Sequence, residues 1–235
     1  MKPAVTVIMT TYNSIRTIES SLRSLKSQDV CNLELVVVDN QSTDGTLEAI
    51  KASNIKQTVV SEPDGGIYEA MNKGIEIASG EWIMFLGSDD KYIQSDSISK
   101  LLTETNGLDL IYGTGVAGGR QLKNSFDWRM LKGNSINHQC AAYHTRIFKE
   151  FKYDTSYSIA ADYKLNLQIY LMRFKAKYVH VPVAIFGTDG LSQKCKELGQ
   201  QEEERIRVEL LGSKYGSIVN YALRMKRALT GQKVI

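Results

Sequence analysis

Proline and cysteine are both scarce in this chain, with three of each in 235 residues. Pro3, Pro63 and Pro182 stand far apart, so no proline-rich linker divides the sequence. Cys31, Cys140 and Cys195 are odd in number and widely spaced. That spacing gives neither a disulfide framework nor a zinc-ligand pattern, and reduced thiols in a cytoplasmic protein are the expectation. Long apolar runs are also missing. No stretch approaches the ~20 residues of a membrane helix, and Val5–Met9 is too short for the core of a signal peptide. Any membrane contact is expected to be peripheral. Charge of one sign is not in excess either. A net charge of +3 provides no broad footprint for nucleic acid, so no nucleic-acid partner is expected. There is no P-loop, no Gly-x-Ser-x-Gly elbow and no His-Glu-x-x-His pair.

What is present is ordinary for a soluble globular protein: 43% hydrophobic and 23% charged residues, in a chain long enough to bury a core without staples. Apolar runs of strand length alternate with helical patterns. Val5–Met9, Leu33–Val38, Val59-Val60, Trp82–Leu86 and Leu108–Tyr112 read as strands. Helical spacing runs through Ile15, Ile18, Leu22 and Leu25, and again through Ile67, Met71, Ile75 and Ala78. Near-continuous apolar strands separated by helices predict an α/β fold with a mostly parallel sheet covered on both faces. The second half is less regular. Ala117-Gly118-Gly119 predicts a turn, Ala141–Phe151 a strand passing into a helix, Tyr163–Arg173 a helix and Lys177–Val181 a last strand. From about Glu197 the pattern is helical to near the end. Gly113-Thr114-Gly115-Val116-Ala117-Gly118 matches a dinucleotide fingerprint. It follows the fifth strand and leads into no amphipathic helix, so it is not read as a cofactor site.

In a parallel sheet, ligands bind beyond the carboxyl ends of the strands. Four polar loops occupy those positions: Thr10–Asn13, Asp39–Gly45, Glu62–Gly66 and Gly87–Asp90. Right-handed crossovers bring them to one edge, which then carries Asp39, Asp64, Asp89 and Asp90. Clustered carboxylates repel unless a cation or a donor-rich ligand joins them. Asp89 and Asp90, directly after a strand, suit Mg²⁺ or Mn²⁺. Asp39 suits a base N–H or a sugar hydroxyl, and Tyr12 can stack on a base. The outline is a nucleotide-diphosphate site.

Three segments together, Val7–Asn13, Val37–Thr46 and Phe85–Asp90, resemble glycosyltransferase family 2, with its GT-A fold. Ser61–Gly74 is similar to the bacterial members that build exopolysaccharide, capsule or O-antigen. The resemblance covers roughly residues 3–190. It implies that Thr11, Tyr12, Asn13 and Asp39 hold base and ribose. Asp64, Asn72, Lys73, Ser88 and Asp89 would line the nucleotide-sugar site. The family's Asp-x-Asp metal motif falls on Gly87-Ser88-Asp89, where the first acid is absent and Asp89 remains. Asp90 would support the site or meet the acceptor. Asn137-His138-Gln139 resembles the segment that closes over the diphosphate, with His138 able to bind metal. Ile159–Tyr163 resembles the segment whose acid, Asp162, is the general base. The expected reaction is inverting transfer of a sugar, most often from UDP, to a hydroxyl of a glycan or polyprenyl-linked acceptor. A sugar nucleotidyltransferase or a non-catalytic sugar-nucleotide binder is the alternative.

The expected organisation is a GT-A domain over residues 1–195, with a nucleotide-sugar half (1–112) and an acceptor half (113–195), then a helical tail (196–235). Residues 212–235 hold five basic residues and no acid, interleaved with Tyr215, Ile218, Tyr221, Met225 and Leu229. A basic amphipathic helix fits an anionic membrane surface, and so the inner face of the cell membrane. A helix packed on the domain with a solvated basic face fits the same pattern.

Overall fold

The structure, a computed structural model, describes residues 4–187 and 194–230, the side chains of 228 and 230 aside. The first half is a strict alternation: β1 (Val5–Thr11), α1 (Ile15–Lys26), β2 (Leu33–Asp39), α2 (Thr46–Ala52), β3 (Gln57–Ser61), α3 (Ile67–Ile77) and β4 (Trp82–Phe85). These strands pair in parallel in the order β3-β2-β1-β4. Both faces are apolar because both are covered. Val5, Val7 and Met9 pack with Ile18, Leu22 and Leu25 of α1, while Ile8, Val36 and Val38 pack with Tyr68 and Met71 of α3. Burial on two sides is why the strands read as continuous apolar runs.

The second half holds β5 (Lys91–Tyr92), α4 (Ser97–Leu101), β6 (Leu110–Ala117), β7 (Arg120–Leu122), β8 (Ala141–His144), α5 (Ile147–Glu150), α6 (Ala161–Leu171) and β9 (Ala176–Ile185). It extends the same sheet as β4-β8-β6-β9-β5, with β8 antiparallel to both its neighbours and β9 parallel to β6. The fifth expected strand runs on to Ala117 and turns through Gly118-Gly119 into β7, both glycines having positive φ. Two of the three fingerprint glycines, Gly113 and Gly115, lie inside β6, and the third, Gly118, makes the turn. A Cβ would stand 2.4 Å from the Val181 carbonyl oxygen at Gly113 and 2.4 Å from the Phe186 ring at Gly115, so these two serve close packing.

The tail forms two helices where one continuous pattern was expected: α7 (Lys196–Leu211) and α8 (Ser213–Thr230). Gly212, at φ +81°, breaks the run. The two helices form an antiparallel hairpin, joined by Arg207–Asn220, Arg224–Glu204 and Arg227–Gln200 bonds. Ile206 of α7 is fully buried in the core that also holds Tyr163 and Leu167 of α6, so α7 shares the core of the residues before it. Among the described residues no helix is long and apolar enough to cross a membrane.

Candidate active site

Strand register builds the first part of the site. Thr11, Asp39 and Ser61 are laterally aligned at the ends of β1, β2 and β3. Residues aligned across parallel strands point the same way, so three polar side chains meet. Asp39 is fully buried. It accepts from Thr11 Oγ1 at 2.7 Å, Ser61 Oγ at 2.8 Å, the Ser42 amide at 2.9 Å and Ser42 Oγ at 2.5 Å. Burial alone pushes its carboxyl up, but these bonds outweigh it and hold it below the usual range. Four donors occupy the capacity of one carboxylate, so here Asp39 fixes the loop that follows it.

The neighbouring loops are tied in the same manner. Asn13, at φ +46°, donates its amide to Ser42 Oγ at 2.8 Å and accepts from the Thr43 amide at 3.0 Å. Asp44 accepts from the Ile15 and Thr46 amides, and Ser88 Oγ bonds Ser14 Oγ at 2.8 Å. Tyr12 is left 63% exposed beside this knot, free to offer a ring face.

Beyond β3, Asp64 accepts the Gly66 amide at 3.0 Å, and its own amide bonds Asn40. Burial raises its pKa. Lys73 reaches back over this loop to Glu62 at 2.9 Å, Glu69 at 3.3 Å and the Pro63 carbonyl at 2.8 Å. Asn72 spends both ends of its amide on the Tyr153 backbone, at 2.8 and 3.0 Å. Asn72 and Lys73 therefore hold the walls of the cleft in this structure.

After β4 the turn Gly87-Ser88-Asp89-Asp90 closes on itself. Asp90 is buried and accepts the Gly87 amide at 3.0 Å and the Gly187 amide at 3.1 Å. Burial, then the Asp89 charge, pushes its pKa up. A Cβ at Gly87 would stand 2.6 Å from Asp90 Oδ2, so an acid at the first position of the metal motif would require the buried Asp90 side chain to shift. Asp89 is the half-buried carboxylate that remains.

The fourth part lies across the cleft. Asp162 stands in the first turn of α6. His138 Nδ1 lies 3.3 Å from Asp162 Oδ2, and Asn134 Nδ2 donates to the same oxygen at 2.7 Å. The Tyr163 amide donates to Oδ1 at 2.8 Å. The Tyr68 hydroxyl lies 3.2 Å from Oδ1 and 2.6 Å from the Ile159 carbonyl. Burial raises the Tyr68 pKa far above its usual value, with the Asp162 charge adding to it. Two contributors escape the sequence reading: Tyr68 lies inside the Ser61–Gly74 motif but off the helix face picked out by periodicity, and Asn134 carries no local signal.

Among the described residues no group of three or more His, Cys, Asp or Glu side chains is arranged to hold a metal alone. The donor set still fits Mg²⁺ or Mn²⁺. Asp89 is a hard carboxylate, and such ions take one or two protein ligands plus substrate phosphates.

The sequence matches the model of the Glycosyl transferase family 2 over residues 6–163. A PGL/p-HBAD biosynthesis glycosyltransferase of Mycobacterium tuberculosis is 30% identical over 200 residues, covering 80% of this chain and 78% of that one. The fold is similar to that of S. aureus TarS 1-349 in complex with UDP-GlcNAc, with a TM-score of 0.75 and 20% identity over 94% of this chain and 70% of TarS. It is also similar to the mannosyltransferase PcManGT of Pyrobaculum calidifontis in complex with GDP-Man and Mn²⁺, with a TM-score of 0.67 and 20% identity over 99% and 77% of the two chains. The four-loop edge, the Asp89 turn and these matches agree: the chain belongs to glycosyltransferase family 2 and is a glycosyltransferase with the GT-A fold.

Proposed function

We propose that the protein transfers a sugar, with inversion, from a nucleotide diphosphate to a hydroxyl of a glycan or lipid-linked acceptor in bacterial surface polysaccharide synthesis. The observation that carries this reading is Asp162: a carboxylate at the head of α6, held by Asn134 and Tyr163 and facing His138. Such a group can take the proton from an attacking hydroxyl. One base opposite the leaving group implies inversion. UDP is the expected nucleotide, in line with the UDP-GlcNAc bound by TarS. Tyr12 and Asn13, on loops that Thr11 and Asp39 fix from beneath, form the base and ribose wall. Asp64, Asn72, Lys73 and Ser88 shape the donor side, and Asp90 supports Asp89. Mg²⁺ or Mn²⁺, when bound, supplies Lewis-acid stabilisation of the departing diphosphate. Asp89 would hold it, with His138 beside it; Mn²⁺ accompanies GDP-Man in PcManGT.

The tail supports work at a membrane surface, at the inner face of the cell membrane. Tyr215, Ile218, Tyr221, Met225 and Leu229 are all exposed along α8, while Asn220 on its opposite face is buried against α7. Arg224 and Arg227 pair with Glu204 of α7, and Lys214 and Lys226 are exposed on the same helix. Lys233 lies outside the described residues.

The decisive experiment is Asp162→Asn, assayed for release of UDP or GDP from nucleotide sugars with Mn²⁺. Turnover should fall by a factor of about 10²–10⁴, the contribution typical of general-base catalysis, while UDP binding persists. Near-normal turnover would sink the assignment.

A further inference from the structure

We propose that Glu202, on the tail helix α7, is a positioning residue for Asp162. The proposal rests on the reading of Asp162 as the base. Helix α6 starts at Ala160 without any side-chain cap of its own. The first amides of a helix and the turn before it need acceptors. Glu202 supplies them from about forty residues away in sequence, a spacing the bonds themselves record. Its Oε1 accepts the Ser158 amide at 2.8 Å, and its Oε2 accepts the Ile159 and Ala160 amides, both at 2.8 Å. The side chain is buried, with the residue 4% exposed. This one carboxylate fixes the backbone immediately before Asp162. It also fixes the Ile159 carbonyl, which holds the Tyr68 hydroxyl against Asp162.

The same helix reaches the other flank of the base. Arg207, fully buried, donates to the Lys132 carbonyl at 3.0 Å. Glu203 bonds Arg207 at 3.3 Å and accepts the Asn134 amide at 3.4 Å. Asn134 then donates to Asp162 at 2.7 Å. Buried charges are a poor way to attach a helix, since apolar side chains of the same volume do it at less cost. Directional bonds to both sides of one carboxylate are what charges add.

The test uses the full chain and measures release of UDP from UDP-N-acetylglucosamine and of GDP from GDP-mannose, with Mn²⁺. Glu202→Ala, Glu202→Gln, Asp162→Asn and the Asp162→Asn/Glu202→Ala double variant are compared. Misplacing a reacting group costs rate and leaves donor binding alone. Glu202→Ala should therefore lower kcat by roughly 10–100-fold with donor KM within about twofold. Glu202→Gln, which keeps an oxygen acceptor, should recover part of the loss and carries the test if Glu202→Ala fails to fold. The double variant should be no slower than Asp162→Asn. Wild-type kcat in folded Glu202→Ala, or a double variant slowed by the product of the two single effects, overturns the proposal. Asp162→Asn with wild-type turnover instead removes the base itself. Its inactivity beside an unimpaired Glu202→Ala leaves the base standing and removes only the positioning role.

Discussion

Thr11 and Asp39 are register partners on adjacent parallel strands, and the Thr11 hydroxyl donates to the Asp39 carboxylate at 2.7 Å. Both side chains are buried. The bond is the deepest tie between the loops that form the nucleotide edge.

Thr11→Val keeps the shape and removes the donor. A buried carboxylate short of one hydrogen bond costs about 1–3 kcal/mol. The urea midpoint should fall accordingly with the slope of the transition unchanged. An unchanged midpoint would show that water or Ser42 replaces the bond in full.

Restoring the acid missing from the metal motif should not help this enzyme. Gly87→Asp places a Cβ 2.6 Å from Asp90 Oδ2. Overpacking of this kind costs about 1–3 kcal/mol, and it adds charge beside two carboxylates. Lower melting temperature and weaker Mn²⁺ binding are expected in a calorimetric titration. Tighter binding would mean that the turn reorganises.

Nucleotide identity can be read without an acceptor. UDP, GDP, dTDP and CDP, each with and without Mn²⁺, should be compared by thermal shift. A ligand at 100 times its Kd stabilises the folded state by about 2.7 kcal/mol. The largest Mn²⁺-dependent shift is expected with UDP, and no shift with any of the four would count against the proposed donor site.

Acid should loosen the α6–α7 junction. Lys164 of α6 joins Asp154 at 2.6 Å and also pairs with Glu209 of α7. Burial alone would raise the Asp154 carboxyl, but Lys164 and Ser156 outweigh it and hold the pKa down to about 2 from 3.8. A depressed carboxylate stabilises the fold above its unfolded pKa and stops doing so as pH falls through its folded one. Wild type should thus lose stability between about pH 4 and pH 2 in part through this group. Asp154→Asn should show a shallower loss over that window, measured as melting temperature against pH.

The exposed stripe of α8 should bind lipid. Full-length protein should co-sediment with vesicles containing phosphatidylglycerol, and Ile218→Glu/Met225→Glu should not, with nucleotide binding unaltered. Equal sedimentation of both proteins would exclude the stripe as the contact.

Much of the nucleotide edge was legible in the sequence because its signals are local. A buried parallel strand is a run of apolar residues, and the polar break after it marks the loop at its carboxyl end. The loops carrying Asp39, Asp64 and Asp89 are placed by that logic alone. The glycines of β6 show the opposite limit. Their spacing imitates a cofactor loop, and only the approach of Val181 to Gly113 and of Phe186 to Gly115 reveals them as packing positions.

The sequence by itself determined the alternation of elements, the family motifs and the acids available to the cleft, since each depends on neighbours in the chain. Tertiary structure alone decided which of those acids are already occupied and what holds Asp162. Thr11 and Ser61 donate to Asp39 because three strand ends fall in register, and Ser42 completes the shell from the loop that follows. Glu202 reaches the start of α6 because Ile206 seats α7 in the core beside Tyr163 and Leu167. Pairings across more than forty residues leave no period and no motif in a single sequence; only the packed chain brings such groups within hydrogen-bonding distance.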